Sequence, residues 1–259
     1  MPMSILVTGA TGGIGRPLCI RLAKAGYGLV LASRDEARLE KLAAELTSSV
    51  PIHILPVDMS NKASVSAFGD SLAALNIALD GAVIMPPQPD RSSDPLPENS
   101  AWEKLFNDSF IGPLSVLRTA ISTMKPEPAS GRRAKCVIVS GISSAQVLGH
   151  SAMANVLRTA WLAEAKTLAF ALGDRGIHVN TISLGGTLTP HYEGLIASRA
   201  NVNGRSLDAQ IANETENVPL RKYSTADEAA RAIETLLSPF SDHLTGINLL
   251  HDGGFTRAY

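Results

Sequence analysis

The chain has 259 residues, of which 45% are hydrophobic, and a formal net charge of -1. It can bury a sizeable core, as one large or two small domains, and its charge gives no reason to expect a nucleic acid or an anionic membrane as partner. No apolar run approaches a membrane span and the N-terminus lacks the pattern of a signal peptide, so we expect a cytoplasmic protein.

The cysteines and histidines do not indicate a metal site. Cys19 and Cys136 fall in a predicted helix and a predicted strand, where they are interpreted as small buried apolar residues. The six histidines show no ligand spacing. We therefore expect neither a disulfide nor a metal.

Strand and helix patterns alternate along almost the whole chain. Near-continuous apolar runs, typical of parallel strands covered on both faces, predict strands at 4–8, 28–33, 52–57, 80–85, 135–140, 177–182 and 246–250. Helices are predicted between them at 14–26, 35–47, 61–75, 100–124, 152–172 and 226–237. The alternation predicts an α/β fold over residues 1–259, a single-domain Rossmann-type doubly wound parallel sheet of about seven strands with helices on both faces.

Two segments interrupt this rhythm. Residues 86–97 read PPQPDRSSDPLP, a proline-rich loop that follows the fourth strand and should lie over the carboxyl edge of the sheet, where ligands bind. Residues 185–215 are polar and weakly patterned. A substrate lid and a mobile surface loop are equally good interpretations of that stretch.

A glycine-rich turn joins the first strand to the first helix. Residues 9–15 read GATGGIG, and glycines at positions 9, 13 and 15 let the backbone turn tightly and approach a pyrophosphate closely. The helix that follows offers unpaired N–H groups and the positive end of its dipole. The pattern predicts a dinucleotide-binding site.

The end of the second strand indicates which dinucleotide is bound. An acidic residue there usually binds the ribose of NAD, but this chain has Ser33 and Arg34, which can pair with a 2′-phosphate. Arg16 adds positive charge nearby. We therefore favour NADP(H) over NAD(H), with Arg34 as a solvated residue at a helix start as the alternative. Asp58, after the third strand, is interpreted either as a partner of the adenine amino group or as a cap of helix 61–75.

These motifs resemble those of the short-chain dehydrogenase/reductase family over almost the whole chain. Thr8 to Gly15 is similar to its TGxxxGIG motif, residues 245–254 to its TGxxxxxDGG signature, and residues 180–189 to the NxxxPGxxxT segment on the nicotinamide side. Together with the residues argued above, the resemblance implies a cofactor site formed by Thr8, Gly9, Thr11, Gly13, Ile14, Gly15, Ser33, Arg34, Asp58, Arg158, Gly185, Thr187 and Thr189.

The same resemblance locates departures from the family pattern at the catalytic positions. It places Ala154 where the family has its catalytic Tyr, Arg158 where it has Lys, Gly141 where it has Ser, and Ser109 where it has a structural Asn. In the family, the Tyr gives a proton to the carbonyl oxygen as hydride arrives. Alanine has no proton to give, and residues 28–191 contain no tyrosine.

Other residues are candidates for the missing roles. Arg158 has the strongest claim, because an arginine inside an apolar helix segment needs a polar or anionic partner. Tyr192 is the better alternative acid and His150 the next, although lid packing and an exposed loop position explain them as well. Ser140 could hydrogen-bond a substrate oxygen, or simply belong to a serine-rich turn.

Three functions follow from this pattern. The first is a divergent NADP(H)-dependent oxidoreductase that acts on a small-molecule carbonyl, imine or activated C=C bond without the usual Tyr. The second is a catalytically inactive NADP-binding sensor or partner subunit, and the third is a non-redox lyase or isomerase. The resemblance also implies a homodimer or homotetramer built through helices 100–124 and 152–172. A hetero-oligomer with an active paralogue is the alternative.

Overall fold

The computed structural model describes residues 3–46, 50–90 and 92–257. Its strands, in chain order, are β1 (Ser4–Thr8), β2 (Gly28–Ala32), β3 (Ile52–Ile54), β4 (Gly81–Ile84), β5 (Ala134–Gly141), β6 (Ile177–Leu184), β7 (Thr187–Leu188), β8 (Ser224–Thr225) and β9 (Asn248–His251). Its α-helices are α1 (Gly15–Lys24), α2 (Glu36–Glu45), α3 (Lys62–Ala74), α4 (Asn99–Phe106), α5 (Gly112–Thr123), α6 (Ala152–Leu172), α7 (Pro190–Val202), α8 (Leu207–Glu214) and α9 (Ala226–Leu237).

One parallel sheet organises the fold, and it confirms the predicted architecture. The strand order is β3-β2-β1-β4-β5-β6-β9, so the order reverses between β1 and β4, where such sheets form a crevice at their carboxyl ends. Helices cover both faces, with Phe68 and Trp161 buried on one side and Leu22 and Ile233 on the other. Among the residues described, no helix is long and apolar enough to cross a membrane.

The predicted helix 100–124 is interrupted. Residues Asn107–Ile111 form a π-helical turn between α4 and α5. Gly112 follows this turn directly and lies against the loop after β3. A Cβ on Gly112 would be 1.7 Å from the carbonyl oxygen of Met59. The carbonyl oxygen of Ser109 accepts a hydrogen bond of 2.9 Å from Trp161 Nε1, which gives the turn a partner on α6.

Strand and helix ends differ from the prediction by a few residues. β3 stops at Ile54 instead of 57, and β9 spans Asn248–His251 instead of 246–250. The predicted end of the second helix at residue 47, and Arg91 in the loop 86–97, lie outside the described residues.

The weakly patterned stretch 185–215 is mostly helical. It contains β7, α7 and α8, and both helices begin at a capping residue. The side chain of Thr189 accepts from the backbone N–H of Tyr192, and that of Ser206 accepts from the N–H of Ala209. These caps were the missed signal, because α7 buries only Ile196 and Ala200 and so lacks a broad apolar stripe.

Candidate active site

The crevice at the switch point is built around Thr8, at the end of β1. Its buried hydroxyl accepts a hydrogen bond of 2.8 Å from the backbone N–H of Met85, which ties the end of β1 to the segment after β4. Gly9 follows in the left-handed conformation, with a φ of 62°, and its carbonyl accepts from the N–H of Gly12 at 2.9 Å. A Cβ on Gly15 would lie 2.0 Å from that same carbonyl oxygen, so the turn requires glycine there.

The glycine turn presents the start of α1 to the crevice. Gly12 and Gly13 are exposed, and within the described residues no side chain caps the helix at Ile14. The first turn of α1 also carries no acidic residue. An uncapped helix start with exposed glycine backbone fits the pyrophosphate of a dinucleotide, because its N–H groups and its dipole both favour an anion.

Hydroxyl and guanidinium groups meet beside this turn. Thr11 Oγ1 donates to Ser33 Oγ at 3.1 Å, and Arg34 is exposed next to it. Arg38, which the sequence analysis missed, donates from Nη2 to the carbonyl of Thr11 at 3.0 Å. Its position one helical turn after Arg34 was the available signal.

Arg16 does not present an unpaired positive charge beside the glycines. Its guanidinium pairs with Glu45, with Nη2 2.6 Å from Oε2, so its charge is directed to α2. Asp58 likewise does not cap α3, because Asn61 is the capping residue and accepts from the N–H of Ser64. One oxygen of Asp58 accepts from Ser60, from its backbone N–H at 3.0 Å and its hydroxyl at 2.7 Å.

The segment after β6 lies close to the glycine turn. Thr187 Oγ1 donates to the carbonyl of Gly185 at 3.2 Å. A Cβ on Gly13 would lie 2.6 Å from Cβ of Thr189, so Thr189 packs directly on the turn. The structure thus brings the predicted nicotinamide-side segment against the predicted phosphate-binding turn.

Arg158 reaches from α6 to the carboxyl end of β5. Its Nη1 donates to Ser143 Oγ at 3.1 Å, and its Nη2 donates to Gln88 Oε1 at 2.8 Å. A Cβ on Gly141 would lie 2.6 Å from Nη1 and 2.7 Å from Cζ. The guanidinium therefore lies in the space that a side chain at position 141 would need.

Ser140 lies in the same small cleft. The lining of this cleft combines Ser140 and Arg158 with apolar groups and the proline loop: Pro86, Pro87, Gln88, Pro89, Val139, Leu157 and Trp161. Ser140 is 8% exposed, and its Oγ has no hydrogen-bond partner among the described residues. A buried hydroxyl without a partner is costly, and a ligand oxygen would satisfy it.

The remaining candidates are not in the described lining of this cleft. Ala154 is 4% exposed and packed in α6, while Ser109 is buried in the π-helical turn. His150 is exposed in the turn before α6. Cys19 and Cys136 are free and buried in the core, and burial raises the pKa of both thiols.

Tyr192 lies in a cluster with Tyr223, Glu214 and Arg199. Its ring packs edge-to-face on Tyr223, with 5.4 Å between centroids. Glu214 joins this cluster by accepting from Arg199 Nε at 2.6 Å, from Tyr223 Oη at 2.8 Å and from Gln210 Nε2 at 2.7 Å. The Arg199 guanidinium, with help from Gln210 and Tyr223, holds the pKa of Glu214 at about 2 against the opposing effect of burial. These contacts connect α7, α8 and the segment before β8.

Comparison with known proteins identifies the class. A family model described as enoyl-(acyl carrier protein) reductase matches residues 9–256. The D-beta-hydroxybutyrate dehydrogenase of Rhizobium meliloti is 27% identical over an alignment of 273 residue positions, gaps included, which covers 99% of each chain. The chain belongs to the short-chain dehydrogenase/reductase family, and the prediction of an oxidoreductase of this family is confirmed.

Solved structures show the same fold. The L-sorbose reductase of Gluconobacter frateurii, complexed with NADPH and L-sorbose, has a TM-score of 0.90 at 22% identity, covering 100% of this chain and 98% of that one. An NADPH-bound short-chain oxidoreductase of Pseudomonas aeruginosa PAO1, described as containing an atypical catalytic center, has a TM-score of 0.85 at 23% identity, covering 99% and 98%.

Proposed function

We propose that this protein is an NADP(H)-dependent oxidoreductase that acts on a small-molecule carbonyl, imine or activated C=C bond without a catalytic tyrosine. The observation that carries the proposal is the Arg158 guanidinium beside Gly141, in the same cleft as the Ser140 hydroxyl, which has no partner among the described residues. Both groups are hydrogen-bond donors at the carboxyl end of β5. They could receive a substrate oxygen there.

The cofactor would supply the hydride that adds to the carbon of the substrate's double bond. In carbonyl reduction, negative charge then develops on the oxygen, and Arg158 and Ser140 would stabilise it by donating hydrogen bonds. Arg158 also remains a candidate for holding the nicotinamide ribose. Because arginine keeps its proton near neutral pH, the proton that completes the product would come from water, Tyr192 or His150.

Preference for the phosphorylated cofactor is part of the proposal. Ser33, Arg34 and Arg38 surround the end of β2 with donors and positive charge, and the glycine turn is tied to them through Thr11. A 2′-phosphate would gain charge-assisted hydrogen bonds there. NADPH in solved structures of the same fold is consistent with this preference.

The test is a screen of NADPH oxidation against carbonyls, imines and enones, followed by R158Q and S140A on any substrate found. We expect turnover that falls roughly 10²–10³-fold in R158Q, the size of effect seen when an oxyanion-stabilising donor is lost. Turnover that is insensitive to both variants would contradict the assignment of the site. A protein that binds NADPH but reduces nothing in the panel would instead favour the second function, an inactive sensor or partner subunit.

That second function is favoured by one observation. Ala154 is buried and has no hydroxyl, so the position of the family's tyrosine offers no proton. A lyase or isomerase is a further alternative, supported if the cofactor is needed but unchanged in turnover.

Self-association is also proposed, as a homodimer or homotetramer. Val156 and Phe170 project from α6 with exposures of 50% and 84%. Exposed apolar groups on a helix whose opposite face packs in the core are suited to an interface. Light scattering after size-exclusion chromatography tests this, and mixed oligomers with a paralogue would show the alternative.

A further inference from the structure

We propose that the cleft around Arg158 binds a carboxylate group of the substrate, so that the substrate class is a small organic acid. This inference rests on the proposed function, because it uses the same cleft. It adds the chemistry by which a substrate would be recognised there: for such an acid, Arg158 and Ser140 would bind the carboxylate, and the reacting carbonyl oxygen would lie beside this group instead of taking both donors itself. Four observations carry it, from the arginine, its amide partner, the neighbouring serine and the wall of the cleft.

The first observation is the direction of the arginine. Arg158 leaves α6 between the buried residues Leu157 and Trp161, and its guanidinium fills the space beside Gly141. Its planar fork is therefore held in the cleft. Guanidinium groups recognise carboxylates in a bidentate manner, with a geometry that a lysine ammonium cannot reproduce.

The second observation is the partner of Nη2. Gln88 Oε1 accepts from it at 2.8 Å, and Gln88 is exposed on the proline loop after β4. An amide oxygen has the shape of a carboxylate oxygen without its charge. An exposed side chain on a loop can move away, so a ligand carboxylate would replace a neutral acceptor by a charged one at the same nitrogen.

The third observation is Ser140. Its Oγ is buried, lines the cleft and has no partner among the described residues. A carboxylate bound by Arg158 would bring a second oxygen into the same cleft. The hydroxyl can donate to that oxygen, which would satisfy both groups.

The fourth observation is the wall of the cleft. It is mostly apolar, formed by prolines of the loop together with Val139, Leu157 and Trp161. Among the described residues that line the cleft, only Arg158 has a charged side chain. A positive charge with apolar walls focuses the local field on an anion.

The test uses the full-length protein with saturating NADP+, titrated calorimetrically with sodium propanoate. Propanamide is the matched neutral probe, and sodium chloride controls for ionic strength. We expect propanoate to bind at least tenfold more tightly than propanamide. R158Q should lose at least tenfold in propanoate affinity and S140A several-fold, whereas R175Q, an arginine exposed in the turn after α6, should change nothing. R158K should recover only part of the loss.

Separate titration with NADPH distinguishes the two proposals. Equal or absent binding of propanoate and propanamide, with normal NADPH binding, would overturn the carboxylate site and leave the oxidoreductase proposal intact. Selective propanoate binding without NADPH binding would support the carboxylate site and overturn the oxidoreductase proposal. Circular dichroism of each variant checks folding, and propanoate affinity unchanged in both R158Q and S140A would overturn the assignment.

Discussion

Arg158 and Gly141 are structurally linked, because Nη1 of Arg158 lies 2.6 Å from where a Cβ of residue 141 would stand. The resemblance predicts that these positions are two separate departures from the family pattern. In the structure they are a single rearrangement, in which the missing side chain at 141 makes room for the guanidinium. We therefore interpret the candidate site as reorganised around Arg158, and not merely as lacking the residues that the family resemblance predicts.

The first prediction concerns the space beside Gly141 that the guanidinium of Arg158 fills. G141S should not restore activity of the usual family type. It should displace the guanidinium and lower propanoate affinity roughly tenfold or more, since small misplacements of a binding group have large effects. Gly149 provides the control, because a Cβ there meets no atom within 4 Å. Propanoate binding that is as tight in G141S as in G149S would contradict the placement of Arg158.

Cofactor selectivity gives the second prediction. R34Q and R38Q should each weaken NADPH binding about tenfold, and more together, because each removes a charged donor from the 2′-phosphate. NADH binding should be unchanged, which separates loss of the phosphate contact from damage to the glycine turn. R16Q is a matched control, because Arg16 is already paired with Glu45. Equal losses of NADPH and NADH affinity would argue against the assignment.

Restoring the tyrosine alone should fail. Ala154 is 4% exposed, so A154Y would overpack α6 and lower stability by about 1–3 kcal/mol. We expect a lower Tm and no gain in turnover. A171Y, at an exposed position of the same helix, should keep the wild-type Tm. A stable A154Y variant with higher carbonyl reductase activity would show that the pocket is closer to the family pattern than we infer.

The Glu214 cluster predicts a dependence of stability on pH. Arg199 lowers the pKa of Glu214 from 4.5 to about 2, so its stabilising contribution is complete above pH 4.5 and is lost as the pH falls towards 2. E214Q removes this contribution and should lower the Tm at neutral pH by several degrees. Its Tm should also fall less on acidification than that of the wild type.

Thermal unfolding between pH 7 and pH 3 measures both effects. E216Q is the control, since Glu216 is exposed in the turn just after α8. Parallel pH curves for E214Q and the wild type would contradict the role given to Glu214.

The parallel sheet could be predicted because its strands are continuous apolar runs, as in β2 and β5, with helices of regular period between them. The π-helical turn could not be predicted. It lies beside the close approach of Gly112 to Met59, which is a contact between segments far apart in the chain. The helices α7 and α8 were missed because capping groups define them more than an apolar face does.

The candidate site was predicted in its residues but not in its arrangement. Arg158 and Ser140 could be named from the resemblance and from their neighbours in the sequence. That Arg158 would turn towards Gly141, and that Gln88 on the loop would meet it, depends on tertiary packing. Arg16 shows the converse, because the sequence places its positive charge beside the glycines while the structure pairs that charge with Glu45.

The most direct measurement is a fluorescence titration of the purified protein with NADPH and NADH, repeated with R34Q. We expect micromolar binding of NADPH, clearly weaker binding of NADH, and loss of that difference in R34Q. Absence of binding to either dinucleotide would contradict the oxidoreductase proposal and leave the glycine turn as a structural element only.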